Sequence, residues 1–150
     1  IKQAHKKAIE YATKYNGIIS FDPNVRLPLW ESPKACRDAI LEFLPSSNIV
    51  KISDEELEFI TGISDEQEAL KSLFVGNVEV VIYTKGTNGS DFITKDRTIT
   101  VPSFTVKAED TTGAGDSYIG SFLYQVAKTV STLEDLVNLD EKKLTEMMNR

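Results

Sequence analysis

The sequence predicts an α/β domain of three layers, α/β/α, with a mostly parallel central sheet and an antiparallel hairpin at one side. Three observations predict it. Segments with the period of amphipathic helices alternate along the chain with short apolar runs. The clearest run, residues 78–83, reads Val-Glu-Val-Val-Ile-Tyr, β-branched and almost wholly apolar, which suits a strand covered on both faces. Strands separated by helices pair in parallel, because each helical crossover returns the chain to the same end of the sheet.

The elements follow in order. Residues 2–15 place Ala4, Ala8, Tyr11, Ala12 and Tyr15 along one helical face, and Asn16-Gly17 supplies the stop. Residues 18–21, Ile-Ile-Ser-Phe, read as a buried strand, followed by a loop with Pro23 and Pro28. Ser32-Pro33 form the N-cap and first position of a second helix running to about Phe43. Residues 48–52 make a second strand, and 53–60 and 64–74 two helices broken at Gly62. Beyond the strand at 78–83, residues 89–94 and 98–103 form the hairpin, turning at Lys95-Asp96-Arg97. A helix from Ala114 to about Lys128 turns Ile119, Phe122, Leu123 and Val126 inward, and residues 132–150 are helical with a break near Asn138.

The chain has 150 residues, the size of one domain, and shows no internal repeat or low-complexity tract. Apolar residues at 41% and charged residues at 27% are the balance of a globular protein. Seventeen basic against 23 acidic residues leave a net charge of -6 and no basic stripe, which argues against a nucleic-acid partner. No apolar run approaches the roughly 20 residues of a membrane span, so no membrane partner is expected. Cys36 is the only cysteine and His5 the only histidine, so an internal disulfide, a zinc cluster and a Ser–His–Asp arrangement are excluded. Cysteine usage and the lack of a signal peptide point to the cytoplasm. The chain opens with Ile1 directly into one helical pattern and ends at Arg150 inside another, as a piece of a longer polypeptide would.

The most informative stretch is Asp110-Thr111-Thr112-Gly113-Ala114-Gly115-Asp116, which follows the hairpin and opens a helix. Gly113, Ala114 and Gly115 carry little or no side chain, so their N–H groups are open to a ligand. A helix start leaves such donors unpaired and carries partial positive charge, a site suited to phosphate. Asp116 lies in the first turn, where its carboxylate would sit beside the phosphoryl group and meet an incoming hydroxyl. A weak base suffices there, because phosphoryl transfer passes through a loose transition state. No Walker loop is present, and Tyr118 stands where the dinucleotide fingerprint would need glycine. The bland alternative is a closely packed helix start with Asp116 complementing the dipole.

The segment 110–116 resembles the C-terminal signature of the ribokinase-like (phosphofructokinase B) sugar kinases. The resemblance implies an anion hole for the transferred phosphate at Gly113, Ala114 and Gly115, and a base at Asp116 that takes the proton of a sugar hydroxyl. It also implies nucleotide contacts at Thr111 and Thr112, and a monovalent cation, K+, held in part by Asp110 and Thr112.

Three further motifs stand in the family's order. Phe21-Asp22-Pro23-Asn24-Val25-Arg26, continued by Leu29-Trp30, resembles the fructokinase and ketodeoxygluconate kinase branches and implies substrate contacts at Asn24 and Arg26. Asp-Pro-Asn is also an ordinary turn sequence. Lys51-Ile52-Ser53-Asp54-Glu55-Glu56 follows a strand and opens a helix, and it resembles the family's Asn-x-x-Glu with Ser53 in place of Asn, implying that Glu56 organises Mg2+ indirectly, although Ser-x-x-Glu is equally a capping box. The same capping pattern recurs at Ser64 and Gln67. Thr84-Lys85-Gly86-Thr87-Asn88-Gly89 resembles a turn beside the nucleotide, implying cofactor contacts at Lys85, Gly86 and Gly89.

The resemblance therefore implies a ribokinase-like fold, incomplete here. Residues 1–150 would be the C-terminal, ATP-binding and catalytic part, without the N-terminal sugar and lid half or the extreme C-terminus. The implied reaction is transfer of the γ-phosphoryl of ATP, with Mg2+, to a sugar hydroxyl, fructose giving fructose 6-phosphate, in a full-length homodimer. The alternatives are a 2-keto-3-deoxygluconate kinase, and an inactive fragment that at most binds nucleotide.

Overall fold

The computed structural model describes residues 2–103 and 113–149. Helix α1 (Lys2–Lys14) precedes strand β1 (Ser20–Phe21), and a single helical turn at Leu27–Leu29 leads to α2 (Pro33–Phe43). Strand β2 (Ile49–Ser53) runs directly into α3 (Asp54–Thr61), followed by α4 (Glu66–Ser72) and β3 (Val80–Thr84). The hairpin is β4 (Ser90–Ile93) and β5 (Thr98–Val101), and three helices follow: α5 (Ala114–Thr129), α6 (Leu133–Val137) and α7 (Glu141–Met148).

The strands lie side by side in chain order. β1, β2 and β3 pair in parallel, and β3–β4 and β4–β5 are antiparallel, so β4 alone runs against the other four. The sheet is therefore mostly parallel in direction, with the antiparallel hairpin at one side joined edge-on to β3.

Side chains alternate across the sheet, and each face has its own core. Val50, Ile52, Val81 and Tyr83 pack beneath α2, α3 and α4 through Ile40, Leu57, Ile60 and Leu70. Ile49, Val80, Ile82 and Phe92 pack beneath α5 and α7 through Ile119, Phe122, Val126 and Leu144. Cys36 is buried in the first of these cores. Arg97 on the hairpin turn donates to the carbonyls of Val137 and Leu139, tying the end of α6 to the sheet.

Some local expectations shift. The face of α1 carrying Tyr11 and Tyr15 is not packed, these residues being 54% and 72% exposed. The helix instead meets α2 through His5, edge-on to Phe43 at 5.9 Å, and through Lys2 and Lys6 against Glu42. The first strand shrinks to two residues, while the Ile19 carbonyl accepts from the N–H groups of Asn48 and Ile49. Helix α4 is capped by Asp65, whose carboxylate accepts from the Glu68 N–H at 2.8 Å, because the Ser64 hydroxyl is taken by Glu58. Among the described residues no helix is long and apolar enough to cross a membrane.

Candidate active site

The C-terminal ends of β1, β2 and β3 face the start of α5, the arrangement in which open α/β sheets bind ligands. A cavity of about 690 Å³ lies there, lined by Ser53, Thr84, Gly86, Ser90, Ala114 and Gly115 among others.

Glu56 assembles one wall. Its Oε2 accepts from the backbone N–H of Ser53 at 3.0 Å and from the Ser53 hydroxyl at 2.8 Å. Its Oε1 accepts from the backbone N–H of Val25 at 2.7 Å. One carboxylate thus caps α3 and pins the Asp22-Pro23-Asn24-Val25 loop to it, so the capping role of Ser53 and Glu56 is present in full. Inside that loop Asn24 has φ +44°, a left-handed conformation that asparagine tolerates better than most residues. Asn24 is thereby turned so that its Nδ2 donates to Asp116 Oδ1 at 3.2 Å.

Asp116 sits in the first turn of α5. Gly113, the N-cap, has φ +76° and offers no side chain to the helix start, and its carbonyl accepts from the Ser117 N–H at 2.9 Å. A Cβ placed on Gly113 or on Gly86 would meet nothing within 4 Å among the described residues. Ala114 and Gly115 line the cavity beside them.

Beneath this turn lies a charge pair that sequence reasoning did not pick out. Lys51 is only 7% exposed, and its Nζ is 3.4 Å from Asp22 Oδ1. Burial pushes the Asp22 carboxyl above its ordinary value, Lys51 opposes this, and the neighbouring Glu56 charge adds to it. The signal was available: Lys51 interrupts the apolar run Ile49-Val50-Lys51-Ile52 in a strand covered on both faces. Tyr118 also lines the cavity, its hydroxyl 2.6 Å from that of Ser90, and burial raises its pKa.

The remaining expected residues are placed unevenly. Lys85 does not border the cavity with its ammonium, which is bound to both Asp91 oxygens at 2.9 and 2.8 Å. Its register explains this, because Lys85 lies two residues beyond Tyr83, and Tyr83 pairs with Asp91 on the same face of the sheet. Gly86 and Gly89 do border the cavity. Gly89, at φ +90°, lies so close to β5 that a Cβ would come within 2.2 Å of the Val101 carbonyl oxygen. Arg26 is exposed. Asp110, Thr111 and Thr112 lie outside the described residues, and among those described no cluster of three His, Cys, Asp or Glu could hold a metal ion.

Comparison with known proteins matches residues 1–140 to the family model described as pfkB family carbohydrate kinase. The chain belongs to the pfkB family of carbohydrate kinases. Probable fructokinase-2 of Arabidopsis thaliana is 42% identical over 135 residues, covering 89% of this chain and 41% of the relative. The crystal structure of a fructokinase from Vibrio cholerae O395 in fructose, ADP and calcium ion bound form superposes with a TM-score of 0.84 at 27% identity, covering 97% of this chain and 46% of that one. A putative ribokinase II from E. coli in complex with ATP and Mg2+ gives 0.77 at 27% identity, covering 97% and 44%. The chain thus spans less than half the length of these pfkB relatives, and its sheet and helices are those of their ribokinase-like fold.

Proposed function

We propose that residues 1–150 form the nucleotide-binding and catalytic part of a kinase that transfers the γ-phosphoryl of ATP to a sugar hydroxyl, with fructose as acceptor and fructose 6-phosphate as product. The observation that carries this reading is the position of Asp116 in the first turn of a helix whose glycine-lined start borders a cavity of about 690 Å³. The likeness to the Arabidopsis fructokinase and to the Vibrio structure with fructose and ADP supports the choice of sugar.

The residues divide the work as follows. Asp116 accepts the proton of the sugar hydroxyl as its oxygen bonds to the γ-phosphorus, and the bond to the β–γ bridging oxygen breaks to release ADP. The N–H groups of Ala114 and Gly115, aligned with the dipole of α5, face the charge that spreads over the phosphoryl oxygens. Asn24 fixes the Asp116 carboxylate through its 3.2 Å hydrogen bond. Gly86 and Gly89 allow backbone approach to the nucleotide, whereas Lys85 acts through its backbone, its ammonium being held by Asp91.

The cavity suits a nucleotide, since its wall at Gly86 is open where a side chain would fill it, and Ala114 and Gly115 present little or no side chain to it. Mg2+ bound with the phosphates would neutralise their charge, and Glu56 would act on it at one remove, through the loop it holds and through water. Asp110 and Thr112 are proposed as ligands of a monovalent cation.

An ATP-coupled assay on the natural polypeptide containing these residues, with fructose and with 2-keto-3-deoxygluconate, tests the reading. Turnover with fructose is expected. Turnover with the keto acid alone would move the assignment to the other branch, and none with any sugar would remove it.

A further inference from the structure

We infer that Lys51 is a further phosphoryl-binding residue, its ammonium held by Asp22 beneath the glycine turn as a buried positive charge for the transferred group. This rests on the kinase reading above and extends it to a residue to which the motifs gave no role.

Four observations converge. Lys51 lies on the face of β2 that carries Ile49, opposite Ile82 of β3, in a core otherwise built of apolar side chains. A lysine there is unfavourable unless its charge is used or compensated. Its Nζ would be 3.2 Å from a Cβ on Gly115, so the ammonium rests directly against the turn. Gly115 does not have a positive φ, so its backbone does not require glycine, and a Cβ there would crowd the Lys51 ammonium. Lys51 also lines the cavity that Gly115, Ser53 and Thr84 border.

The pair with Asp22 is not a sufficient account of Lys51. The separation of 3.4 Å is long for a charge-assisted hydrogen bond, which is normally about 2.7–2.9 Å. The Asp22 Oδ2 atom is buried and has no hydrogen-bond partner among the described residues. Of the three N–H groups of Lys51, one finds an acceptor among those residues. A buried pair this loosely made is a weak stability device, since apolar replacements of such pairs are commonly neutral. A cation with spare donors, under a turn that presents bare amides, complements an anion arriving from the cavity.

Three variants of the natural polypeptide decide the matter: Lys51→Met, Asp22→Asn, and the two combined. Sugar-phosphorylation kcat, KM for ATP and for sugar, and thermal midpoint are measured for each. Lys51→Met should lower kcat about 10²–10³-fold, the loss typical when one stabilising donor is removed from a developing oxyanion, with sugar KM within about threefold. Asp22→Asn keeps the ammonium and should lose less than about tenfold. The double variant should recover the thermal midpoint lost by Lys51→Met but not its kcat.

A double variant with kcat near the unsubstituted level would reduce Lys51 to a structural partner of Asp22 and overturn the inference. So would an Asp22→Asn variant as impaired as Lys51→Met. An unsubstituted protein that phosphorylates no sugar is a different result, removing the kinase reading and this inference together.

Discussion

Asn24 Nδ2 donates to Asp116 Oδ1 at 3.2 Å, joining two residues 92 positions apart, one in the loop after β1 and the other in the first turn of α5. Three layers of placement converge on that bond. Glu56 holds the loop, the left-handed conformation of Asn24 aims the amide, and the start of α5 presents the carboxylate.

Removing the proposed base, Asp116, should therefore be separable from removing its holder, Asn24. Asp116→Asn is expected to lower kcat about 10²–10⁴-fold, the range for loss of a general base. Because Asp116 is exposed, its stability change should stay within about 0.5 kcal/mol. Asn24→Gly tolerates the positive φ and deletes only the hydrogen bond, so its kcat should fall by less. Steady-state kinetics and urea denaturation on the same preparations check both statements.

Glu56 has a structural duty whatever its relation to Mg2+. Glu56→Ala leaves the partly buried N–H of Val25 without its acceptor and uncaps α3. An unsatisfied donor of this kind is worth about 1–3 kcal/mol, which a shift in the urea midpoint would register. Glu56→Gln retains acceptor oxygen and should lose less.

Asp22 and Asp135 should titrate on opposite sides of the ordinary aspartate value of 3.8. Burial raises Asp22, so the folded state binds that proton more tightly than the unfolded chain does. Its contribution is then fully present below 3.8 and is lost as pH rises through the folded pKa. Asp135 is lowered by the Thr132 hydroxyl and by the N–H groups of Ser131 and Thr132, so its contribution is present above 3.8 and fades as pH falls. Carboxyl-carbon NMR titration should find Asp22 above 3.8 and Asp135 below it. Lys51→Met should push Asp22 higher still, since Lys51 is the partner opposing the rise.

Two glycines of one turn should respond differently to alanine. Gly89→Ala drives a Cβ to within 2.2 Å of the Val101 carbonyl and should lower the thermal midpoint strongly, by splitting β4 from β5. Gly86→Ala has open space around the new methyl and bears only the strain of φ +53°, on the order of 1–3 kcal/mol. Its larger effect should be a raised KM for ATP, read in the coupled assay.

Much of this architecture could be read from residue order. The apolar run at β3, the Ser32-Pro33 start of α2 and the inward face of α5 all reflect local pattern, and each stands where pattern places it. The packing of α1 could not be read that way, since Tyr11 and Tyr15 lie on a regular apolar stripe and are nevertheless exposed. Which stripe is buried depends on what lies opposite, here Glu42 and Phe43 of α2. Within the site, Asn24, Glu56, Gly113 and Asp116 were accessible as short motifs. The direction of the Lys85 ammonium could not be read from the motif, because strand register with Asp91, a non-local fact, decides it. Lys51 was given no role, because its proximity to a glycine 64 positions later, by subtraction of the residue numbers, exists only in three dimensions.

Because the five strands lie in chain order, each new strand can be laid beside the one before it as the polypeptide grows. All five are complete by Val101, fifteen residues ahead of Asp116 by subtraction of the residue numbers. A nascent chain of that length still lacks α5 and α7, which cover the face carrying Ile49, Val80 and Ile82, and Asp116 arrives with the first of them. Proteolytic resistance should accordingly appear only in truncations long enough to include α5, α6 and α7.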